Sequence, residues 1–432
     1  MVIKAKNESA IKTWKFFTLD MSVGDMVIKS VWVFSTRLDT GKMAEGLSVL
    51  LERYPFLAGR LKSAQGIDCN NEGVDFDVVE RHDMDVNAVL RSKDIYNEYA
   101  LRLDMKGFKA GRCAPATFCV TNVGDGSVLA VQMAHICMDG SAFYKMIDEW
   151  GVICRESVTH FAQSAQHLLP ELPFKSKTAV IAEAEKNGWK KLGFKQLFKM
   201  ITYSMSRNSR LFSAPVIVDG ESIEKAKKHI SESSGMKIGT HAILSAVMVK
   251  MCMKLNNSHN EDYSLISVAD IRERYNAIPE GYIGNAVSNI VTPTLNTENS
   301  VSSLAKQIQT NNDRYFSNED GVLDDYVNLN IYGVKHHIPY LGFDVESMND
   351  KNPKAIYINN QLRFKVYELD FGSGRPYVVI PNDLPDMVKL WPVNDKKGSV
   401  MILLRGYVAK KALKYGDISP MVNSFLEDFT KE

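Results

Sequence analysis

His135 and Asp139 fall in the stretch Val131-Gln-Met-Ala-His-Ile-Cys-Met-Asp-Gly140, an H-x-x-x-D-G pattern that follows an apolar, strand-like run. Imidazole is the side chain whose ordinary pKa, about 6.5, lets it take a proton near neutrality. The pattern therefore offers a general base for a hydroxyl or amine, with a carboxylate four residues on. Of the nine histidines only His135 has Asp at that spacing. Taken alone, the pair suits equally well a buried histidine whose ring is merely hydrogen-bonded. Cys137 could be considered a nucleophile, but in extended chain positions 135 and 137 share a face without being held in contact, so no thiol role is assigned.

A second pattern lies more than 200 residues on, at Asp370-Phe-Gly-Ser-Gly374. The sequence lacks the Gly-rich loop, V-A-I-K strand and H-R-D-x-x-x-x-N loop that accompany D-F-G in kinases, so kinase chemistry is excluded. By itself the stretch reads as a glycine-rich turn between strands.

Several elements must position these groups. Residues 25–37 are rich in β-branched and aromatic side chains and read as a strand. Met43, Leu47, Leu50 and Leu51 recur at helical spacing, and Pro55 ends that helix. Residues 116–123 and 127–135 are apolar runs joined by Gly124-Asp125-Gly126, a hairpin whose second strand delivers His135. Ser141 is placed as N-cap of a helix with Phe143, Met146, Ile147 and Trp150 on one stripe. From Pro215 a second α/β pattern starts. It has strands at 216–218, 263–268, 356–358, 377–380 and 400–404. Helices are expected at 222–230, 240–255, 303–316, 321–329 and 419–429, the last with Ser419 as N-cap.

At 432 residues the chain exceeds what one core comfortably serves, so two domains are expected. The boundaries read as 1–175, a crossover connection at 176–214, and 215–432. The fold class is α/β in an α+β two-layer sense, with mixed sheets flanked by helices. The crossover contains Trp189, Phe194, Leu197 and Phe198 among Lys186, Lys190, Lys191, Lys195 and Lys199, which reads as a helix packing its aromatics and solvating its lysines.

Composition is that of an ordinary globular chain, 45% hydrophobic and 24% charged. With 52 basic against 51 acidic residues, no global field points to nucleic acid. No run approaches the ~18 apolar residues of a membrane span, and the first residues have no signal-like apolar core, so a cytoplasmic protein is expected. Six cysteines show no metal-ligand spacing, which indicates neither a metal site nor a disulfide scaffold.

Taken together, H-x-x-x-D-G followed by D-F-G-x-G resembles the BAHD acyltransferases, related in fold to chloramphenicol acetyltransferase and to peptide-synthetase condensation domains. Tyr54-Pro-Phe-Leu-Ala-Gly-Arg-Leu61 is similar to the family's Y-P-L-A-G-R-L, and Leu19-Asp20 to its early L-D. Val268-Ala-Asp-Ile-Arg-Glu-Arg274 is similar to D-x-R-x-R, and Pro279-Glu-Gly-Tyr-Ile-Gly-Asn285 to L-P-E-G-Y-x-G-N. There are departures. Ser373 stands where the family has tryptophan, and Asn359-Asn360-Gln361 where it has T-S-W, in a part that by resemblance lines the region between acceptor pocket and structural turn. A single histidine, Ala134-His135, favours a free-standing enzyme over the condensation-domain branch.

The resemblance implies two domains with a tunnel between them, His135 at its centre, acyl-CoA as co-substrate, a small alcohol or amine acceptor, no permanently bound cofactor, and a monomer of secondary metabolism. It implies that His135 is the sole proton carrier, and that Asp139 is a brace paired with Arg272. Asp370, Gly372 and Gly374 would form a structural turn. Lys237 and Asn285 occupy regions that touch the cofactor in relatives. Asn359, Asn360 and Ser373 are oxyanion or acceptor-wall candidates by their donor groups. The alternatives are a carrier-protein-dependent condensation-type enzyme and a non-catalytic binding protein of the same fold.

Overall fold

A sequence rich in β-branched and aromatic residues makes Val27–Phe34 a strand, and Val31, Trp32, Val33 and Phe34 are all fully buried, as expected of a strand covered on both faces. In the computed structural model it pairs with Gly126–Ala134 on one side and Val378–Ile380 on the other. The structure describes the chain except residues 64–65, 93–94, 161, 165–171, 187–192, 194–197, 199–211, 273, 276, 280, 339–353, 382–386, 396 and 432. Most of the basic, aromatic stretch read as crossover lies outside the described residues.

Contacts divide the chain into two compact units. The first comprises Met1–Glu171, Ala277–Ala286 and Phe364–Asp383. Its six-stranded mixed sheet runs in spatial order Val2–Ile3, Val74–Arg81, Ala116–Val123, Gly126–Ala134, Val27–Phe34, Val378–Ile380. Val123 pairs with Gly126, so Gly124 and Asp125 alone make the expected hairpin turn. The helix Gly140–Glu156 follows, burying Phe143, Met146, Ile147 and Trp150. It lies against the helix Thr40–Arg53 so closely that a Cβ on Gly46 would collide with Cys154 Sγ. Pro55 ends the latter helix as expected and opens a 3-10 turn, Pro55–Ala58.

The second unit comprises Leu172–Asn276, Val287–Arg363 and Leu384–Glu432. Its sheet runs Val287–Asn296, Asp262–Asp270, Ala355–Asn360, Val388–Pro392, Val400–Arg405, Ser213–Val218. Leu265, Ile356, Ile358, Val388, Leu390, Ile402 and Leu404 turn one face onto the helices Gly220–Ser234, Thr240–Asn256, Val301–Ser317, Gly406–Tyr415 and Ser419–Asp428.

Three sequence expectations change. The segments 277–286 and 364–383 group with the first unit rather than with an uninterrupted 215–432, because Val378–Ile380 completes the first sheet and Asn285 and Ala286 bond within the first unit. The strand Val287–Asn296 was hidden by Thr292-Pro293-Thr294; proline is tolerated there because this strand is at the sheet edge. Helices also start earlier than their serines suggest. Asp139, not Ser141, caps Gly140–Glu156, Ser300 caps Val301–Ser317, and Asp219 caps Gly220–Ser234. For the last helix Asp417, rather than Ser419, supplies the accepting oxygen, taking the Ser419 N–H at 2.9 Å.

Candidate active site

The strand Gly126–Ala134 ends at His135, which opens a short 3-10 turn, His135–Cys137, and is half-buried. The returning segment Ala277–Ala286 brings Asn285 to it. Asn285 Oδ1 lies 2.9 Å from His135 Nδ1. The amide's orientation is fixed by its other partners: Nδ2 donates to the His135 carbonyl at 2.9 Å and to Asp20 Oδ1 at 3.1 Å, and both groups only accept. Oδ1 is therefore the atom facing the ring, and Nδ1 carries the proton. Nε2 is left with its lone pair. Burial pushes the His135 imidazole below its ordinary pKa, outweighing the hydrogen bonds and the Asp139 charge that act the other way, so the ring is a neutral base at pH 7.

Asp20 anchors this chain of groups. Its Oδ1 also takes the Asn285 N–H at 2.6 Å, and its Oδ2 takes the Phe17 N–H at 2.7 Å. Desolvation raises its pKa to about 6 in spite of those bonds. The neighbouring glycine has a physical reason, since a Cβ on Gly284 would lie 2.7 Å from Asp20 Oδ1. The sequence match at Leu19-Asp20 signalled the position of this aspartate, but gave it no role.

Asp139 is buried and caps the helix after the motif. Its Oδ1 accepts from Ala142 N at 3.0 Å and its Oδ2 from Ala286 N at 2.8 Å. One carboxylate thus ties the start of Gly140–Glu156 to the residue after Asn285. Cys137 is fully buried and its thiol is pushed well up by desolvation, which removes it as a nucleophile.

Asp370 serves its own turn. Oδ1 accepts from Gly372 N at 2.7 Å and Gly374 N at 3.1 Å, and both glycines have positive φ, +94° and +103°. Phe371 fastens the turn, its ring 4.9 Å from that of Trp150. The Ser373 carbonyl accepts from Thr36 Oγ1.

In the second unit Arg272 forms an ion pair with Asp270 at 3.2 Å, and Arg274 donates to the Asp270 carbonyl while lying 3.9 Å above the Phe316 ring. Asn359 and Asn360 are adjacent on one strand, so their side chains leave opposite faces and cannot share a wall. Asn360 Oδ1 is taken by Leu362 N. Lys237 is exposed just before the helix Thr240–Asn256. Asn285, a candidate for cofactor contact by resemblance, has its side-chain amide bonded to His135 and Asp20.

A histidine with a fixed tautomer and an open Nε2 suits proton transfer to and from a reacting heteroatom. Residues 1–406 match the model of the Transferase family. The chain belongs to this family, the BAHD acyltransferases. It is 24% identical to limonoid 1-O-acetyltransferase of Citrus sinensis over 90% of this chain and 88% of that one. Its fold is that of vinorine synthase, with a TM-score of 0.69 at 15% identity over 100% and 98% of the two chains. It is also that of TRI101 of F. graminearum complexed with coenzyme A and deoxynivalenol, with a TM-score of 0.72 at 12% identity over 95% and 98%. The two-unit α/β architecture is therefore the chloramphenicol acetyltransferase-like fold, and this BAHD member is an acyl-CoA-dependent acyltransferase.

Proposed function

We propose that His135 is the general base of direct acyl transfer from a CoA thioester to the hydroxyl or amine of a small natural product, within a ternary complex. The observation that carries this is the His135 Nδ1 contact with an Asn285 amide whose orientation leaves no other tautomer. Nε2 takes the acceptor proton as its oxygen or nitrogen attacks the thioester carbonyl. The tetrahedral intermediate then collapses, the C–S bond breaks, and the imidazolium returns the proton to the CoA thiolate. No covalent acyl-enzyme forms. Holding two reactants together supplies much of the acceleration, because the thioester is already activated.

Asp139 acts as a brace in this scheme, and its two backbone bonds support that reading. The expected Asp139–Arg272 pairing joins residues of different units and is left to a double-mutant cycle on stability. Lys237 remains a candidate for the CoA phosphates, and Asn359 and Ser373 for the oxyanion or the acceptor wall. We assign the chain to the cytoplasm as a monomer of secondary metabolism. Six free cysteines agree with a reducing compartment, and the relatives include limonoid 1-O-acetyltransferase and akuammiline synthase. No helix of the described residues is long and apolar enough to cross a membrane.

Free-thiol release from a panel of acyl-CoAs with candidate alcohols and amines tests the reaction. Wild type should release thiol only when both substrates are present, and His135→Ala should lose roughly 10²- to 10⁴-fold in kcat while keeping its melting temperature. Substantial turnover by a pure His135→Ala preparation would overturn the assignment.

A further inference from the structure

One face of the second unit's sheet is apolar and packed on helices; its other face carries the buried Lys389 and Gln361 beside the half-buried Asn359. Lys389 pairs in register with Asn359 on one neighbouring strand and Leu403 on the other, and Asn359 pairs with Val268, which pairs with Asn289. Val388 and Leu390 belong to the helix-packed core, so Lys389 between them leaves from the opposite face, as does Asn359 beside Ile358. Gln361 follows the same alternation: its N–H bonds the Leu390 carbonyl, and Leu362 after it packs back on the core.

Two of these side chains have a buried polar atom without a hydrogen-bond partner. Lys389 is only 1% exposed and its Nζ has no hydrogen-bond partner among the described residues. Gln361 is 7% exposed and its Oε1 is likewise unpaired. A buried amine without a partner is costly unless something completes it, and desolvation alone holds the Lys389 pKa down to about 7. A group brought by a ligand would restore both bond and charge.

We propose that Lys389, with Asn359 and Gln361, forms a recognition subsite for a carboxylate on one of the two substrates. The carboxylate accepts from the Lys389 ammonium, which regains its proton when the anion arrives, and from the Asn359 amide. Gln361 Oε1 accepts from a hydroxyl or amide N–H adjoining the acid. This rests on the acyl-transfer reading and adds the substrate class to it. Acidic groups can come from either side of the reaction, a dicarboxylic acyl-CoA or a hydroxy-acid acceptor.

The test uses the full chain and matched probes. In the donor arm succinyl-CoA is compared with butyryl-CoA, which has the same chain length without the terminal carboxylate. In the acceptor arm, with acetyl-CoA as donor, hydroxy acids are compared with their methyl esters. In one arm the acidic probe should exceed its neutral partner by about tenfold or more in kcat/KM, the scale of one charge-assisted hydrogen bond. Lys389→Met should bring that ratio to about one and Lys389→Arg should keep part of it; Lys389→Gln reads the same ratio if the methionine variant does not fold. A wild-type ratio near one in both arms, or a ratio that the variants leave unchanged, overturns the subsite. If neutral donors are still turned over, the acyl-transfer reading survives that result; if no CoA thioester is turned over, both fall.

Discussion

The imidazole of His135 is oriented by a neutral amide, and the negative charge of Asp20 sits one residue further back. Such an arrangement fixes the tautomer without a carboxylate in direct contact to raise the ring's pKa, so His135 stays a free base to lower pH than an ordinary histidine. The acid limb of kcat/KM should accordingly lie below the usual histidine value of 6.5. Asn285→Ala removes the acceptor on Nδ1 and lets the proton move to Nε2. It should lower kcat by about tenfold or more, with KM little changed, a smaller loss than that of His135→Ala; an unchanged kcat would show that the amide does not position the base. Asp20 gives a second measurement, in stability. Its folded pKa is raised from 3.8 to about 6, so its contribution is fully present below pH 3.8 and is lost as pH rises through 6, when the folded state must ionise a buried carboxyl. Asp20→Asn has no such group. Urea unfolding should therefore show the variant gaining on wild type by roughly 3 kcal/mol between pH 3.5 and 7, and parallel pH profiles for the two proteins would refute a perturbed Asp20.

At the scale of elements, the work of the H-x-x-x-D-G pattern divides between a strand end and a helix start. His135 leaves the strand Gly126–Ala134, and Asp139 caps the helix Gly140–Glu156 while also holding Ala286. Asp139→Ala should cost roughly 2–5 kcal/mol, combining a lost N-cap with a buried N–H left unpaired. Melting temperature and activity should fall together, whereas lost turnover at full stability would make Asp139 part of the chemistry. The sequence showed the strand-to-helix passage because its apolar periodicity changes there, from the continuous run before His135 to the stripe Phe143, Met146, Ile147, Trp150. It did not show the cap, because Ser141 is as good a capping residue as Asp139 and only the φ/ψ of the turn chooses between them. Nor could it show Asn285 on the imidazole. That contact spans 150 residues, and no local pattern encodes a pairing of such separation. Lys389 was invisible for the same reason, since a lysine inside Val388–Pro392 reads as a solvated position until the strand is seen to be internal to its sheet.

Over the whole molecule, the first unit is not a contiguous stretch of chain. Three of its parts come from beyond residue 276: the Asn285–Ala286 contacts to His135, Asp20 and Asp139, the Asp370–Gly374 turn with Phe371 packed on Trp150, and the edge strand Val378–Ile380 beside Val27–Phe34. Length and periodicity indicated two units, but the return of these segments depends on long-range pairing alone. A fragment of residues 1–171 therefore lacks both the partner of the His135 imidazole and the cover of Val27–Phe34, a strand with four consecutive fully buried apolar residues. An uncovered apolar strand edge is a template for association. The fragment should be aggregation-prone, with secondary structure in far-UV circular dichroism but weak near-UV signal, because the Trp150–Phe371 contact is missing. Adding a polypeptide of residues 172–432 during refolding should restore the near-UV signal and thiol release if the returning segments complete the unit. A soluble, cooperatively unfolding 1–171 fragment would show instead that its own core suffices, and that the returning segments serve the site without supporting the fold.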